Sequence, residues 1–152
     1  MQDAQIFLHR FGEACTAEVR RKRADQRAIH ERLGARMLSG VRGNIAGRVN
    51  DAHGKIAGWQ AKYVGSGGGY AAVRAVDTST GAKSPGAITN YLENGHARRP
   101  PSGKNPRYVP RIHVLYIAGR GFYDAYRPQL YKMLQVEVDY WGRAVATRLT
   151  GV

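Results

Sequence analysis

Asp124–Leu149, DAYRPQLYKMLQVEVDYWGRAVATRL, carries apolar residues at the spacing of one helix face and sets the fold class expected for the whole chain. Six of these residues follow one another at steps of four, four, three, four and four. Asp124 is the expected N-cap, and Pro128 falls near the first turn, where its missing N–H is tolerated best. The pattern predicts a long C-terminal helix packed across a sheet, with four residues largely buried: Leu134, Val138, Trp141 and Val145.

A second long helix is predicted at the N-terminus. Apolar residues recur at steps of three and four from Leu8 to Val19. After the basic run Arg20–Arg23, steps of four resume from Ile29 to Met37 and continue to Val49. Glycine weakens a helix interior by about 1 kcal/mol relative to alanine. We therefore expect the helix to end between residues 38 and 50, with continuation to about Val49 favoured over a stop near the first of three glycines: Gly40, Gly43 and Gly47.

Between these helices the sequence predicts a small, mostly antiparallel sheet. Two strand-like stretches, Lys55–Val64 and Tyr70–Val76, flank the glycine run Gly65–Gly69, which is typical of a β-hairpin. The glycines do not fit a phosphate-binding loop, since no helix with a Lys-Ser or Lys-Thr pair follows them. Ala87–Glu93 suits a helical turn, and Ile112–Ile117 is the next expected strand. With 152 residues, the chain is expected to form one α+β domain.

The charge balance limits the possible partners. The chain has eighteen Arg, six Lys and eleven acidic residues, for a net charge of +13. A chain with this charge attracts polyanions. Within it, His96–Arg111 combines four prolines with basic residues and no acid, which predicts an extended cationic loop. Its residues expected to contact a partner or DNA are Arg98, Arg99, Lys104, Arg107 and Arg111.

The sequence shows no recognisable residues of an enzyme or a metal site. No two acidic residues have an acid–base spacing, and the five histidines follow no metal-binding pattern. The lone Cys15 excludes an internal disulfide and a cysteine-built zinc site. We therefore expect no catalytic residue, no cofactor and no metal. No apolar run reaches the length of a membrane span, so no membrane is expected among the partners.

Two sequence motifs occur in an order that resembles that of a known protein family. Ile88–His96, ITNYLENGH, precedes the basic loop, and Gly119–Tyr123, GRGFY, precedes the C-terminal helix. This order resembles that of the tail-completion, or head–tail joining, proteins of tailed bacteriophages. The resemblance implies that the motif residues are structural rather than catalytic: Leu92, Glu93, Gly95, His96, Gly119, Phe122 and Tyr123.

Three motif residues also have a direct physical interpretation. Glu93 is one of only two acids in residues 61–120, so we expect it to pair with an Arg of the basic loop. Gly95 allows a sharp turn with positive φ. His96, beside such a pair, is expected to be a structural hydrogen-bonding residue.

The resemblance implies a structural subunit of the virion neck or tail top that is made in the host bacterial cytoplasm. Such subunits form rings, commonly sixfold, between the head connector and the tail-tube or tail-terminator proteins. Weak, sequence-independent contact with genomic dsDNA fits a ring around a DNA passage, and the basic loop is expected to become ordered on a neighbouring subunit. Two alternatives from other classes stay open: a non-specific nucleic-acid-binding module and a small basic ribonuclease.

Overall fold

The computed structural model describes residues 2–76, 79–97 and 116–151. The predicted α+β class is confirmed, with a long helix at each end, small antiparallel two-stranded sheets, and the C-terminal helix packed against a sheet. Strands β1 and β2 form one sheet, and β3 and β4 form the other. The elements in chain order are α1 (Gln2–Arg48), α2 (Lys55–Trp59), β1 (Gln60–Val64), β2 (Ala71–Ala75), α3 (Pro85–Asn94), β3 (Gly95–Ala97), β4 (Tyr116–Ala118) and α4 (Arg127–Thr150).

The chain divides into two compact units. The first unit contains residues 1–39, 62–73 and 127–152, and the second contains residues 40–61 and 74–126. Helix α1 and the β1–β2 hairpin contribute residues to both units. The expectation of a single domain therefore stays a prediction.

Helix α1 runs to Arg48, which confirms continuation beyond Gly40. The ring of Tyr126 lies against Gly40, where a Cβ would overlap it. Val41 and Ile45 are buried in the next turns of the helix. Close packing of the aromatic ring therefore requires a glycine here, and it outweighs the glycine cost of about 1 kcal/mol.

The first half of the expected strand Lys55–Val64 is instead helix α2, so that part of the hairpin prediction is wrong. The Asp51 carboxylate accepts hydrogen bonds from the backbone amides of Ile56 and Ala57 at 3.1 and 2.9 Å, which satisfies free N–H groups of the first turn. Burial opposes ionisation of Asp51, but backbone hydrogen bonds outweigh it and lower its pKa. Local capping therefore overrides the strand-like pattern.

The hairpin turn rests on helix α1. Gly68 has a φ of 71°, and a Cβ at this position would lie 2.8 Å from the Cβ of Arg27. The His30 Nδ1 donates to the carbonyl oxygens of Gly68 at 2.7 Å and Gln26 at 3.0 Å. Because both partners are acceptors, Nδ1 carries the proton. The glycine run is thus a hairpin turn fixed by close contact with a helix.

Helix α4 begins at Arg127, three residues after the expected N-cap Asp124. The backbone N–H of Asp124 donates to the Glu93 carboxylate at 3.0 Å, so this residue belongs to the preceding turn. Pro128 lies in the first turn of α4, as expected.

The expected burial of the apolar stripe on α4 is wrong for Leu134 and Val138, whose exposed fractions are 42% and 43%. Trp141 and Val145 are half-buried, and the buried residue of α4 is Glu137. Arg32 and Arg36 of α1 hold the Glu137 carboxylate at 2.7 and 3.3 Å, so an ion pair takes the inward position. The face of α4 that lies towards α1 is therefore rotated about the helix axis from the expected face. Its least exposed residues are Leu130, Met133, Glu137, Trp141, Ala144 and Arg148.

A second polar cluster joins the far end of α4 to α1. Arg148 binds the Glu18 carboxylate through two hydrogen bonds of 2.6 and 2.8 Å, and it also donates to Asp25 at 3.1 Å. The indole N–H of Trp141 donates to the same Asp25 oxygen at 3.1 Å. Hydrogen bonding between Arg148 and Glu18 lowers the pKa of the carboxyl and raises that of the guanidinium. Polar pairing therefore fixes the register of these two helices.

Replacing Glu137 by Ala is expected to destabilise the protein by about 1.5–3 kcal/mol, because two charge-assisted contacts are lost at a buried position. The free energy of unfolding in urea, followed by circular dichroism, measures the change. Asp139→Ala is the matched control, since Asp139 is an exposed acid on the same helix and should change stability by less than about 0.5 kcal/mol. Equal effects of the two substitutions would contradict the assignment.

Candidate functional site

Two motif segments meet in the second unit at the short sheet formed by β3 and β4. Helix α3 leads directly into β3, and its start is fixed by Ser84, whose hydroxyl accepts from the Ala87 amide at 3.2 Å. We call the meeting point the glycine junction and define it as residues Leu92–His96 and Gly119–Tyr123. The antiparallel register pairs Gly95 with Ala118, His96 with Ile117, and Ala97 with Tyr116.

Two glycines allow the backbones to approach each other in the glycine junction. Gly95 ends α3 with a φ of 79°, which confirms the expected positive φ. A Cβ on Gly95 would lie 2.7 Å from the Gly119 nitrogen. A Cβ on Gly119 would overlap the Glu93 carbonyl oxygen and lie 2.6 Å from the Asn94 carbonyl carbon. Neither position has room for a side chain, because the obstacles are backbone atoms.

Glu93 holds the second segment through its carboxylate. One oxygen accepts from the Tyr123 amide and the other from the Asp124 amide, both at 3.0 Å. Main-chain bonds add to this attachment, since the Arg120 amide donates to the Leu92 carbonyl oxygen at 2.7 Å. The basic-loop arginines expected to pair with Glu93 lie outside the described residues, and within them the carboxylate acts as a clamp on two backbone amides.

The clamp positions two aromatic residues. Phe122 is fully buried, and the Asn44 side-chain amide donates to its carbonyl oxygen at 2.9 Å. The Tyr123 hydroxyl donates to the side-chain oxygen of Gln60, a residue that is only 1% exposed. Burial, with a contribution from the Glu93 charge, raises the pKa of Tyr123 to about 12. The hydroxyl therefore stays protonated at neutral pH and serves as a hydrogen-bond donor.

His96 lies beside these contacts in β3, so the first two residues of the expected loop belong to a strand. Its ring packs on Tyr91 with the centroids 5.3 Å apart. The His96 Nδ1 is buried and makes no hydrogen bond in the described part of the chain. His96 therefore packs against an aromatic ring, and among the described residues its Nδ1 lacks the hydrogen bond that we expected.

The structure brings together the motif residues that the sequence analysis selected, although they are more than twenty positions apart in the chain. Sequence reasoning missed Gln60 and Asn44, because an isolated amide between apolar neighbours gives no signal of burial. The expected contact residues of the basic loop lie outside the described residues, and their role stays a prediction: Arg98, Arg99, Lys104, Arg107 and Arg111.

The described residues contain no group of three or more His, Cys, Asp or Glu side chains that could hold a metal ion. None of the helices that the structure describes is both long and apolar enough to cross a membrane. Comparisons of the chain with protein-family models, curated proteins and solved structures found no match.

Replacing Gly119 by Ala is expected to destabilise the protein by about 3 kcal/mol, because the added methyl group overlaps backbone atoms that cannot move independently. Gly142→Ala is the control, since Gly142 is exposed within α4 and has no atom within 4 Å of a built Cβ. The control should be neutral or stabilising by up to about 1 kcal/mol. Urea unfolding of both variants tests the close approach, which is refuted if Gly119→Ala is also neutral.

The contribution of Tyr123 to the free energy of unfolding is expected to become visible at alkaline pH. The unfolded chain releases this proton near pH 10, whereas the folded chain retains it to about pH 12, so the stability it provides is lost across that interval. In Tyr123→Phe, the free energy of unfolding should fall less steeply between these pH values than in the wild type. Parallel pH profiles for the two proteins would show that Tyr123 titrates normally.

Proposed function

We propose that this chain is a structural virion protein of a tailed bacteriophage, located in the neck or at the tail top. It forms a ring that joins the tail to the head connector and surrounds the DNA passage. The observation that supports the proposal best is the convergence of both motif segments in the glycine junction.

The chemistry of the junction supports a structural and non-enzymatic role. Glu93 uses both carboxylate oxygens to bind backbone amides, and the Tyr123 hydroxyl stays protonated while it donates to Gln60. General acid–base catalysis requires a group that exchanges a proton near the working pH. These two residues instead hold the chain in place, which is the task the motif resemblance implies.

The charge of the chain supports its expected partners. A net charge of +13 attracts the phosphates of genomic dsDNA without base recognition, and it also suits acidic surfaces of neighbouring virion proteins. Arg outnumbers Lys three to one, and its planar guanidinium binds both phosphates and carboxylates. The same charge favours the second candidate, a non-specific nucleic-acid-binding module.

Native mass spectrometry of the purified protein, alone and with head-connector and tail components, tests the proposal. Ring-sized oligomers or particle-dependent assembly are the expected result. A monomer that binds DNA tightly, loses binding steeply with salt and ignores tail components would favour the nucleic-acid-binding module. RNA cleavage abolished by His96→Ala would favour the ribonuclease.

Replacing Arg98, Arg99, Lys104 and Arg107 together by Ser should leave the fold intact and reduce particle assembly or genome delivery by about tenfold or more, since the loop loses its cationic contacts. Infectivity in a complementation assay measures the effect, and circular dichroism checks the fold.

The control for that variant removes the same amount of charge elsewhere. It replaces four exposed basic residues by Ser, so the net charge falls from +13 to +9 in both proteins, since four charges are removed from thirteen. Wild-type infectivity of the loop variant, or equal losses in loop variant and control, would contradict the role of the loop. The control positions are Lys55, Lys83, Lys132 and Arg143.

A further inference from the structure

The first turns of helix α1 form an exposed apolar segment. Arg148, near the end of α4, contacts Glu18, and residues 3–13 of α1 are all exposed. We call residues 3–13 the overhang. The rings of Phe7 and Phe11 stack on its surface with their centroids 6.2 Å apart. Four large apolar side chains of the overhang are between 39% and 65% exposed: Ile6, Phe7, Leu8 and Phe11.

This segment would gain stability from a partner. Most helical stability in proteins comes from packing of an apolar face, and the large apolar side chains of the overhang are exposed. The overhang also contains Gly12, which has no atom within 4 Å of a built Cβ and lowers helix propensity further. Clustered exposed apolar side chains of this kind mark interaction surfaces.

The same unit contains a groove that matches the overhang. It lies between α1 and α4, has a volume of about 240 Å³, and is open to solvent beside Leu134 and Val138. A cavity of about 150 Å³ can hold a benzene molecule, so this groove has room for a phenylalanine side chain. Its lining residues are Lys22, Gln26, Ile29, His30, Leu134, Val138 and Trp141.

The overhang cannot fill the groove of its own chain. Phe11 and Ile29 lie on one continuous helix and are eighteen residues apart. At about 1.5 Å per residue this separation is about 27 Å. The occupant must therefore come from another molecule.

Charge complementarity favours a second copy of this chain as the occupant. The overhang contains two acids and one Arg, for a charge of −1, whereas the other residues contain twenty-three basic and nine acidic groups, for +14. The groove includes Lys22, which belongs to the basic run Arg20–Arg23. An apolar segment with a negative charge thus faces an apolar groove bordered by positive charge.

We propose that the Phe7–Phe11 pair of one copy binds in the α1–α4 groove of a second copy. The two surfaces differ, so the contact is head-to-tail, and its repetition gives a closed ring or an open filament according to the rotation between copies. The proposal rests on the ring assembly proposed above and names the surfaces through which the copies join.

Complementary variants test this contact in the full-length protein. Phe7→Ser with Phe11→Ser removes the inserted side chains, and Leu134→Gln with Val138→Gln makes the groove polar. Each variant alone should associate about 100-fold more weakly than the wild type, since buried aromatic side chains dominate such interfaces. A mixture of the two should form a one-to-one dimer and nothing larger, because only one productive contact remains. Analytical ultracentrifugation and native mass spectrometry measure these species.

Tyr140→Ser is the matched control, since Tyr140 is a 62% exposed aromatic residue of α4 that does not line the groove. It should associate like the wild type.

The overhang variant added to wild-type protein should also shorten its assemblies, because it accepts a neighbour but cannot insert into the next. This second measurement decides the proposal even if the groove variant is unstable.

Three outcomes would overturn the proposed contact. They are a wild-type protein that is monomeric at its highest soluble concentration, an overhang variant that assembles normally, and a mixture that forms no dimer. Rings that persist in the overhang variant would reject this contact while leaving the virion function in place. Head-to-tail complexes of a protein that never joins phage particles would support the contact and reject the virion function.

Discussion

The second unit depends on one carboxylate that binds two backbone amides about thirty residues away in the chain. Turn and helix-start amides have no partner within their own segment, so they attract an anion. Glu93 supplies it and draws the turn at Tyr123 and Asp124 onto the end of α3. Burial of Phe122 and the Tyr123–Gln60 hydrogen bond follow from that position. An alanine at position 93 would leave both amides without their acceptor, and the two segments would lose their common anchor.

The first unit follows a different rule, because polar pairs rather than an apolar stripe define how α4 meets α1. Two ion-pair clusters, at Glu137 and at Arg148, fix the rotation of α4 about its axis. Ion pairs at a helix interface contribute less free energy than apolar packing, since the charges must lose water. Their geometric demands are stricter, however, and they leave Leu134 and Val138 facing an open groove. Specific register is thus achieved at the expense of apolar burial.

Sequence periodicity was sufficient to predict the long and regular elements. It was insufficient where tertiary contacts determine the local structure. The helices α1 and α4 and the hairpin turn follow from spacing and glycine content. The rotation of α4 could not be predicted, because hydrophobic patterning cannot anticipate that Glu137 finds two arginines on another helix. Helix α2 could not be predicted either, since its capping carboxylate lies outside the segment. In the glycine junction, the motif residues were identified, but the amide partners of Glu93 required the three-dimensional structure.

The close approach of Gly95 and Gly119 has a genetic consequence. Every single-base change that alters the amino acid encoded by a glycine codon either adds a Cβ or ends the chain. At these two positions the added carbon would meet main-chain atoms, which no substitution elsewhere can shorten or remove. Variants that replace glycine at position 95 or at position 119 should therefore both be removed by selection, and second-site suppressors should rarely rescue them. A lineage carrying this junction can vary many exposed positions elsewhere while glycine is retained at positions 95 and 119.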